Sequence, residues 1–243
     1  MALKCLRAPP HASLRNVTYA QDVSGDFKMT KEQIQATGNL LATYYSDSTY
    51  IRDFNRYKQG YIRKADYLHK SQGTFKSFID EFRVARNADK NKTSDLLTLT
   101  LKWVNASNAN NVDDFANLLK QKGITHGKVM TSLASKILFL NNPWTILPLD
   151  NLAKKAVGLK SNIYSDYLPL VDDFKQHHKK EINNCLALVD EHLSIIEKDF
   201  KNEINNMKTV RSNRFTDKLL WTLGRQKQKL PPTSALRKWR VMC

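Results

Sequence analysis

Glycine and proline are scarce in this chain, eight and seven among 243 residues. A protein of many short strands needs turn formers roughly every 8–12 residues, so this supply argues against a sandwich or barrel. No alternating apolar–polar stretch of useful length occurs, and the one short strand candidate, "TILPL" from Thr145 to Leu149, is prolyl. The three cysteines, Cys5, Cys185 and Cys243, are odd in number, far apart and without CxxC spacing. That excludes a disulfide framework or a zinc site as the organising principle and points to a reducing compartment. No apolar run reaches the roughly 18 residues of a membrane span. There is no glycine-rich phosphate loop, no GxSxG and no HExxH. His177 and His178 are neighbours, so on a helix they diverge by about 100° and suit a shared metal badly. Neither metal nor other cofactor is expected.

Hydrophobic residues make up 41% of the chain, enough for a substantial core. Lysine and arginine outnumber acids 39 to 23, giving a net charge of +16. That excess predicts a polyanionic partner, nucleic acid and most simply DNA, unless it serves only solubility. The pattern divides the chain into an N-terminal extension (1–28), one all-helical domain (29–224) and a basic, prolyl tail (225–243). The extension has no acid before Asp22 and carries Lys4, Arg7 and Arg15. It reads as poorly ordered or, alternatively, as an organelle transit peptide; otherwise a cytoplasmic or nucleoid-associated location is expected.

Within the domain, Thr30 with Gln33 forms a capping box at the head of one or two helices. Phe75, Phe78, Ile79 and Phe82 have helical spacing. Thr93 or Ser94 caps the next helix, and "DDFANLLKQKG" is a short helix stopped by Gly123. In "THGKVMTSLASKILFL", Val129, Leu133, Ile137 and Leu140 share a face, and Asn141-Asn142-Pro143 ends it. A long helix or helix pair containing Pro169 follows, then a last helix capped by Ser212 and ended by Gly224. The expected fold is an all-α bundle of many short helices.

The most informative stretch runs "LNNPWTILPLDNLAKKAVG", from Leu140 to Gly158. Asp150 stands at the cap of a short helix, where an aspartate accepts from otherwise unpartnered amides. The cap alone accounts for the residue. The helix's positive end also keeps such an acid ionised. An anchored carboxylate under a cleft can stabilise an oxocarbenium-like sugar as a base leaves, or help deprotonate a nucleophile. Cap and catalyst are compatible roles.

Pro148-Leu149-Asp150, preceded by an apolar helix and a prolyl turn, resembles the catalytic segment of the helix-hairpin-helix DNA glycosylases. Two patterns are also similar to a divergent bacterial and phage-associated branch: Ala134-Ser135-Lys136 through Asp150, and the later Asp217-Lys218-Leu219-Leu220-Trp221-Thr222-Leu223-Gly224. The resemblance covers about the second half of the chain. It implies a helix-hairpin-helix core acting on a nucleotide base, with Asp150 as the essential acid and Lys128 or Lys136 as an assisting amine. The family's hairpin carries a Gly-x-Gly turn, whereas here Gly123 and Gly127 stand four apart. Lys136 can equally snorkel from a helix edge or pair with Asp150. Trp144, Asp217 and Trp221 are candidate pocket walls, or simply core.

Basic residues interleave with tyrosines between Tyr44 and Tyr67. Arg52, Arg56 and Arg63 fall on one face if the helix is continuous, with Lys64 beside them. With Lys128, Lys154 and Lys155 they form the candidate nucleic-acid surface. The rival reading is a non-catalytic module of the same fold that binds nucleic acid or protein in a defence or mobile-element system, with Asp150 only a cap.

Overall fold

In the computed structural model, residues 27–82 and 88–229 are described, apart from the side chains of 228 and 229. The expected N-terminal extension thus lies almost wholly outside the described residues, as does the tail beyond 229.

The described chain is all-helical, with no strand among its residues. Its helices are α1 (Lys31–Lys58), α2 (Lys64–Leu68), α3 (Phe75–Glu81), α4 (Thr93–Val104), α5 (Val112–Gln121), α6 (Thr131–Asn141), α7 (Asn151–Ala156), α8 (Tyr164–His177), α9 (Lys179–Ala187), α10 (Asp190–Lys198) and α11 (Met207–Lys229). No helix among the described residues is long and apolar enough to cross a membrane.

Helix α1 opens with the expected box: Thr30 Oγ1 accepts from Gln33 N, and Gln33 Oε1 accepts from Thr30 N. It ends at Lys58, ahead of Gly60 at φ 84°. Arg63 is therefore not on α1; it caps α2, and only Arg52 and Arg56 share the face. Ala36, Leu40, Tyr44, Ile51 and Phe54 are fully buried at helical spacing, which seats α1 on the core. Tyr50, Tyr57 and Tyr67 are buried too, and Tyr57 stacks on Tyr67 at 4.7 Å between ring centroids. Those rings belong to the core, while Tyr45 and Tyr61 are exposed.

Helix α6 is buried over most of its surface, Leu138 and Phe139 being as inaccessible as Leu133, Ile137 and Leu140, with Ser132, Lys136 and Asn141 partly accessible. A helix apolar on most sides belongs near the centre of a bundle. Val129 is not part of it: it precedes the helix and is exposed. The next helix, α4, lacks a Thr93 or Ser94 cap, since Asp89 instead caps a 3-10 turn (Lys90–Lys92) that leads into it. The long helical stretch after Gly158 breaks into α8, α9 and α10.

Helix α11 departs most from expectation. It starts at Met207 rather than after Ser212, passes through Gly224 and runs to Lys229, five residues into the expected tail. Asp217 and Lys218 consequently lie mid-helix, not at a helix start. Gly224 terminates nothing: a Cβ there would lie 1.9 Å from the Leu152 carbonyl oxygen. The glycine lets α11 press directly on the backbone of α7.

A buried ion pair joins the two longest helices. Arg214 of α11 donates from Nε (2.9 Å) and Nη2 (2.7 Å) to Asp47 Oδ2 of α1, and from Nη1 (2.9 Å) to Asp217 Oδ2. The guanidinium carbon lies 4.9 Å from the centre of the Phe139 ring. Such a pair contributes little net stability once desolvation is counted, but removing one partner is expensive.

Candidate functional site

The segment before α7 is extended yet pairs with no strand, so its buried amides need other partners. Ser135 Oγ accepts from Leu149 N at 3.0 Å. The Tyr164 hydroxyl accepts from Leu147 N at 2.9 Å and donates to Leu147 O at 3.1 Å, and the Tyr167 hydroxyl donates to Pro148 O at 3.4 Å. At the prolyl turn, Asn213 Nδ2 donates to the carbonyls of Pro143 (2.9 Å) and Trp144 (2.7 Å). Side chains of α6, α8 and α11 therefore fix the path that delivers Asp150.

Asp150 caps α7, its Oδ1 accepting from the amides of Leu152 and Ala153 at 2.8 Å each. Oδ2 accepts no hydrogen bond among the described residues. The carboxyl group is half-buried on the wall of a cleft with two adjoining lobes. The outer lobe, of about 780 Å³, is bordered by Glu81, Met130 to Ser132, Leu149 and Asn162. The inner lobe, of about 270 Å³, is bordered by Asn39, Thr43, Pro148, Arg214, Asp217 and Lys218. Phe82, Lys136, Asp150 and Trp221 line both.

The cleft thus gathers Asp150, Lys136, Asp217 and Trp221 from the candidate set. Lys136 Nζ donates to the Phe82 carbonyl at 3.3 Å, at the end of α3. Lys128 lies exposed in the α5–α6 connection and does not line the cleft, although its neighbour Val129 does. That connection turns through Gly123 (φ 65°), His126 (φ 50°) and Gly127 (φ 74°). Trp144 is also outside the cleft: its Nε1 donates 2.7 Å to Asn205 O, which ties the prolyl turn to the loop before α11.

No family model, curated protein or solved structure matches this chain.

None of the candidate nucleic-acid contacts lines the cleft. Arg52 pairs with Asp53 at 2.8 Å, Arg56 with Glu203 at 3.8 Å and Arg63 with Asp66 at 2.7 Å, so each is partly neutralised. Lys64 donates to Thr98 Oγ1 at 2.7 Å. Lys154 donates to Asn162 Oδ1 at 2.6 Å, and Lys155 is exposed beside it on α7, the helix that Asp150 begins. Among the described residues no group of three or more His, Cys, Asp or Glu could hold a metal ion.

Sequence reasoning missed Asp47 and Arg214 as parts of this site. Lys218 Nζ is 3.9 Å from Asp47 Oδ2 and makes no hydrogen bond among the described residues. Burial, helped by Arg214, pushes the Lys218 ammonium below the usual lysine range. Burial also raises Asp217 above the usual carboxylate range, against the pull of Arg214 and Lys218 and with the repulsion of Asp150 and Asp47. The one signal available in sequence was the spacing of Arg214, Asp217 and Lys218 at three and four residues on a helix. Their partner Asp47 is 167 residues from Arg214 and could not be paired with it by spacing.

Proposed function

We propose that the chain is a nucleic-acid-processing enzyme with a helix-hairpin-helix glycosylase-like core, and that it cleaves the bond between a base and its sugar in DNA. One observation carries this reading. Asp150 is held through a single oxygen by two backbone amides, and its second oxygen is left for a ligand on a wall common to both lobes of the cleft. The order of the apolar helix α6 and the Pro-Leu-Asp segment that follows it supports the reading.

In this mechanism the base leaves with the bonding electron pair, and positive charge develops on the sugar. Asp150, anchored by the amides of Leu152 and Ala153, stabilises that charge and accepts a proton from the attacking water. Trp221 and Phe82 supply flat apolar walls for an extruded base. Lys136, whose Nζ donates to the Phe82 carbonyl, brings positive charge to both lobes.

The test is release of free base from duplexes carrying damaged or mismatched bases. Asn caps a helix nearly as well as Asp, so Asp150→Asn should stay within about 0.5 kcal/mol of wild-type stability, whereas Asp150→Ala should lose about 1 kcal/mol. Release should fall at least about 100-fold in Asp150→Asn while duplex binding persists. Unchanged release in that variant sinks the proposal. Binding without any release by the wild type favours the non-catalytic module, in which Asp150 is only the α7 cap.

A further inference from the structure

The inner lobe contains polar groups that make no hydrogen bond among the described residues. Lys218 Nζ, on a side chain only 17% exposed, offers three donors and uses none. Its nearest acid oxygen, Asp47 Oδ2, already accepts from Arg214 Nε and Nη2 and from Thr43 Oγ1 at 3.1 Å. Asp217 gives Oδ2 to Arg214 and leaves Oδ1 without a donor. The Asn39 side-chain amide makes no hydrogen bond either, its backbone carbonyl alone accepting from Thr43. All three residues line the lobe together with Phe82, Pro148 and Trp221. At about 270 Å³ the lobe is small beside the roughly 300–1,000 Å³ of sites for drug-sized ligands, and it suits a single flat ring system.

A largely buried ammonium and a carboxylate oxygen on one lobe, neither holding a hydrogen bond, ask for a ligand that carries both an acceptor and a donor. Among planar heterocycles, a ring carbonyl flanked by a ring N–H offers this most strongly. The carbonyl oxygen is a better acceptor for an ammonium than a pyridine-type nitrogen. The lactam N–H is a better donor to a carboxylate than an exocyclic amine. We propose that the inner lobe is the specificity pocket for oxo-bases, with Lys218 Nζ donating to the ring carbonyl, Asp217 Oδ1 accepting from the adjacent N–H, and Asn39 completing the edge. This assignment rests on the reading of the cleft as a base-handling site. Charge agrees with it: among the described residues, Asp47, Glu81 and Asp150 face the pair against Arg214 and Lys136, three acids to two cations. The lobe therefore selects a neutral polar edge rather than an anion. A ligand bridging Lys218 and Asp217 also restores to both the polar contacts that burial removed.

Uracil with cytosine, and hypoxanthine with adenine, are matched pairs differing at this edge. Titration of the full chain with each free base, followed by calorimetry, should show the oxo member binding about 10-fold or more tightly. Lys218→Met should abolish the preference. Asp217→Asn, an isosteric change that keeps the helix intact, should reduce it. Equal binding, an amino-base preference, no binding of any base, or a preference that survives Lys218→Met in a folded variant each overturns the proposal. Asp150-dependent base release without oxo selectivity would overturn this assignment alone. Oxo-selective binding without Asp150-dependent release would overturn only the proposed chemistry.

Discussion

Replacing Gly224 by alanine sets two energies of known sign against each other. In a helix interior alanine is favoured over glycine by about 1 kcal/mol. At position 224, however, the new Cβ would stand 1.9 Å from the Leu152 carbonyl oxygen, 2.5 Å from its carbon and 2.9 Å from its Cα. These are backbone atoms of α7 and cannot rotate aside. A normal separation of roughly 3.5 Å requires the helices to part by about 1.5 Å. Overpacking of that kind typically costs about 1–3 kcal/mol, so the contact outweighs the propensity, and Gly224→Ala should destabilise by about 1–2 kcal/mol. Gly38, in α1, is the internal control, because nothing lies within 4 Å of its Cβ direction and its φ is ordinary. Gly38→Ala should therefore stabilise by about 0.5–1 kcal/mol. Urea unfolding followed by circular dichroism separates the two, provided the slopes match wild type. The displacement also reaches the site, since Asp150 lies two residues before Leu152, and an error of about 1 Å at a catalytic group can cost on the order of 100-fold in rate. A Gly224→Ala protein as stable as wild type would refute the close approach of α11 to α7, and with it the account of how Asp150 is aimed.

The Arg214 pair and the buried phenols give two further outcomes. Arg214→Met strands Asp47 and Asp217 without their cation and should cost about 3–5 kcal/mol, with part recovered when Asp47→Asn is added; a loss below about 1 kcal/mol in unfolding experiments would contradict the burial. Burial holds the phenols of Tyr44, Tyr50, Tyr67, Tyr164 and Tyr167 above their ordinary value of 10. The unfolded chain sheds those protons near that pH while the folded chain keeps them, so stability is lost as pH rises above 10. Phenolate absorbance should then rise in step with the loss of helical signal, and smooth ionisation with the helices intact would refute it.

What could be read in advance was local, and what could not was long-range. Thr30 with Gln33, the aromatic spacing of α3 and Asp150 ahead of "NLAKKAVG" all depend on residues within a turn or two of one another. Gly224 was misread as a helix end because glycine serves both as a terminator and as a point of close approach, and only the Leu152 backbone distinguishes them. The face drawn through Val129, Leu133, Ile137 and Leu140 missed that α6 is buried on nearly every side, since periodicity locates a stripe only where the opposite side is wet. Arg63 was grouped with Arg52 and Arg56 by counting sevens across a helix end that Gly60 imposes. In the site, Asp150, Lys136, Asp217 and Trp221 came from contiguous motifs. Lys218 lay inside a quoted motif, but its role depends on an unused amine in a cavity, and Asp47 depends on the packing of α1 against α11.

The distribution of charge divides the work that a base-removing protein would have to do. Among its described residues, the cleft holds Asp47, Asp150 and Asp217 against Lys136, Arg214 and Lys218, three acids facing three cations, with Glu81 at the outer rim. These residues supply none of the net charge of +16. It must come from residues outside, such as the exposed Lys128 and Lys155, where a polyanion is drawn in over about a Debye length of 10 Å. A cleft of net positive charge would bind phosphate in place of a base and leave Asp150 paired off. A net negative one would repel the strand. Balance at the floor and excess at the surface together let a phosphate backbone stay outside while a neutral ring enters, so the ion network of α1 and α11 is a condition for selectivity as much as for packing.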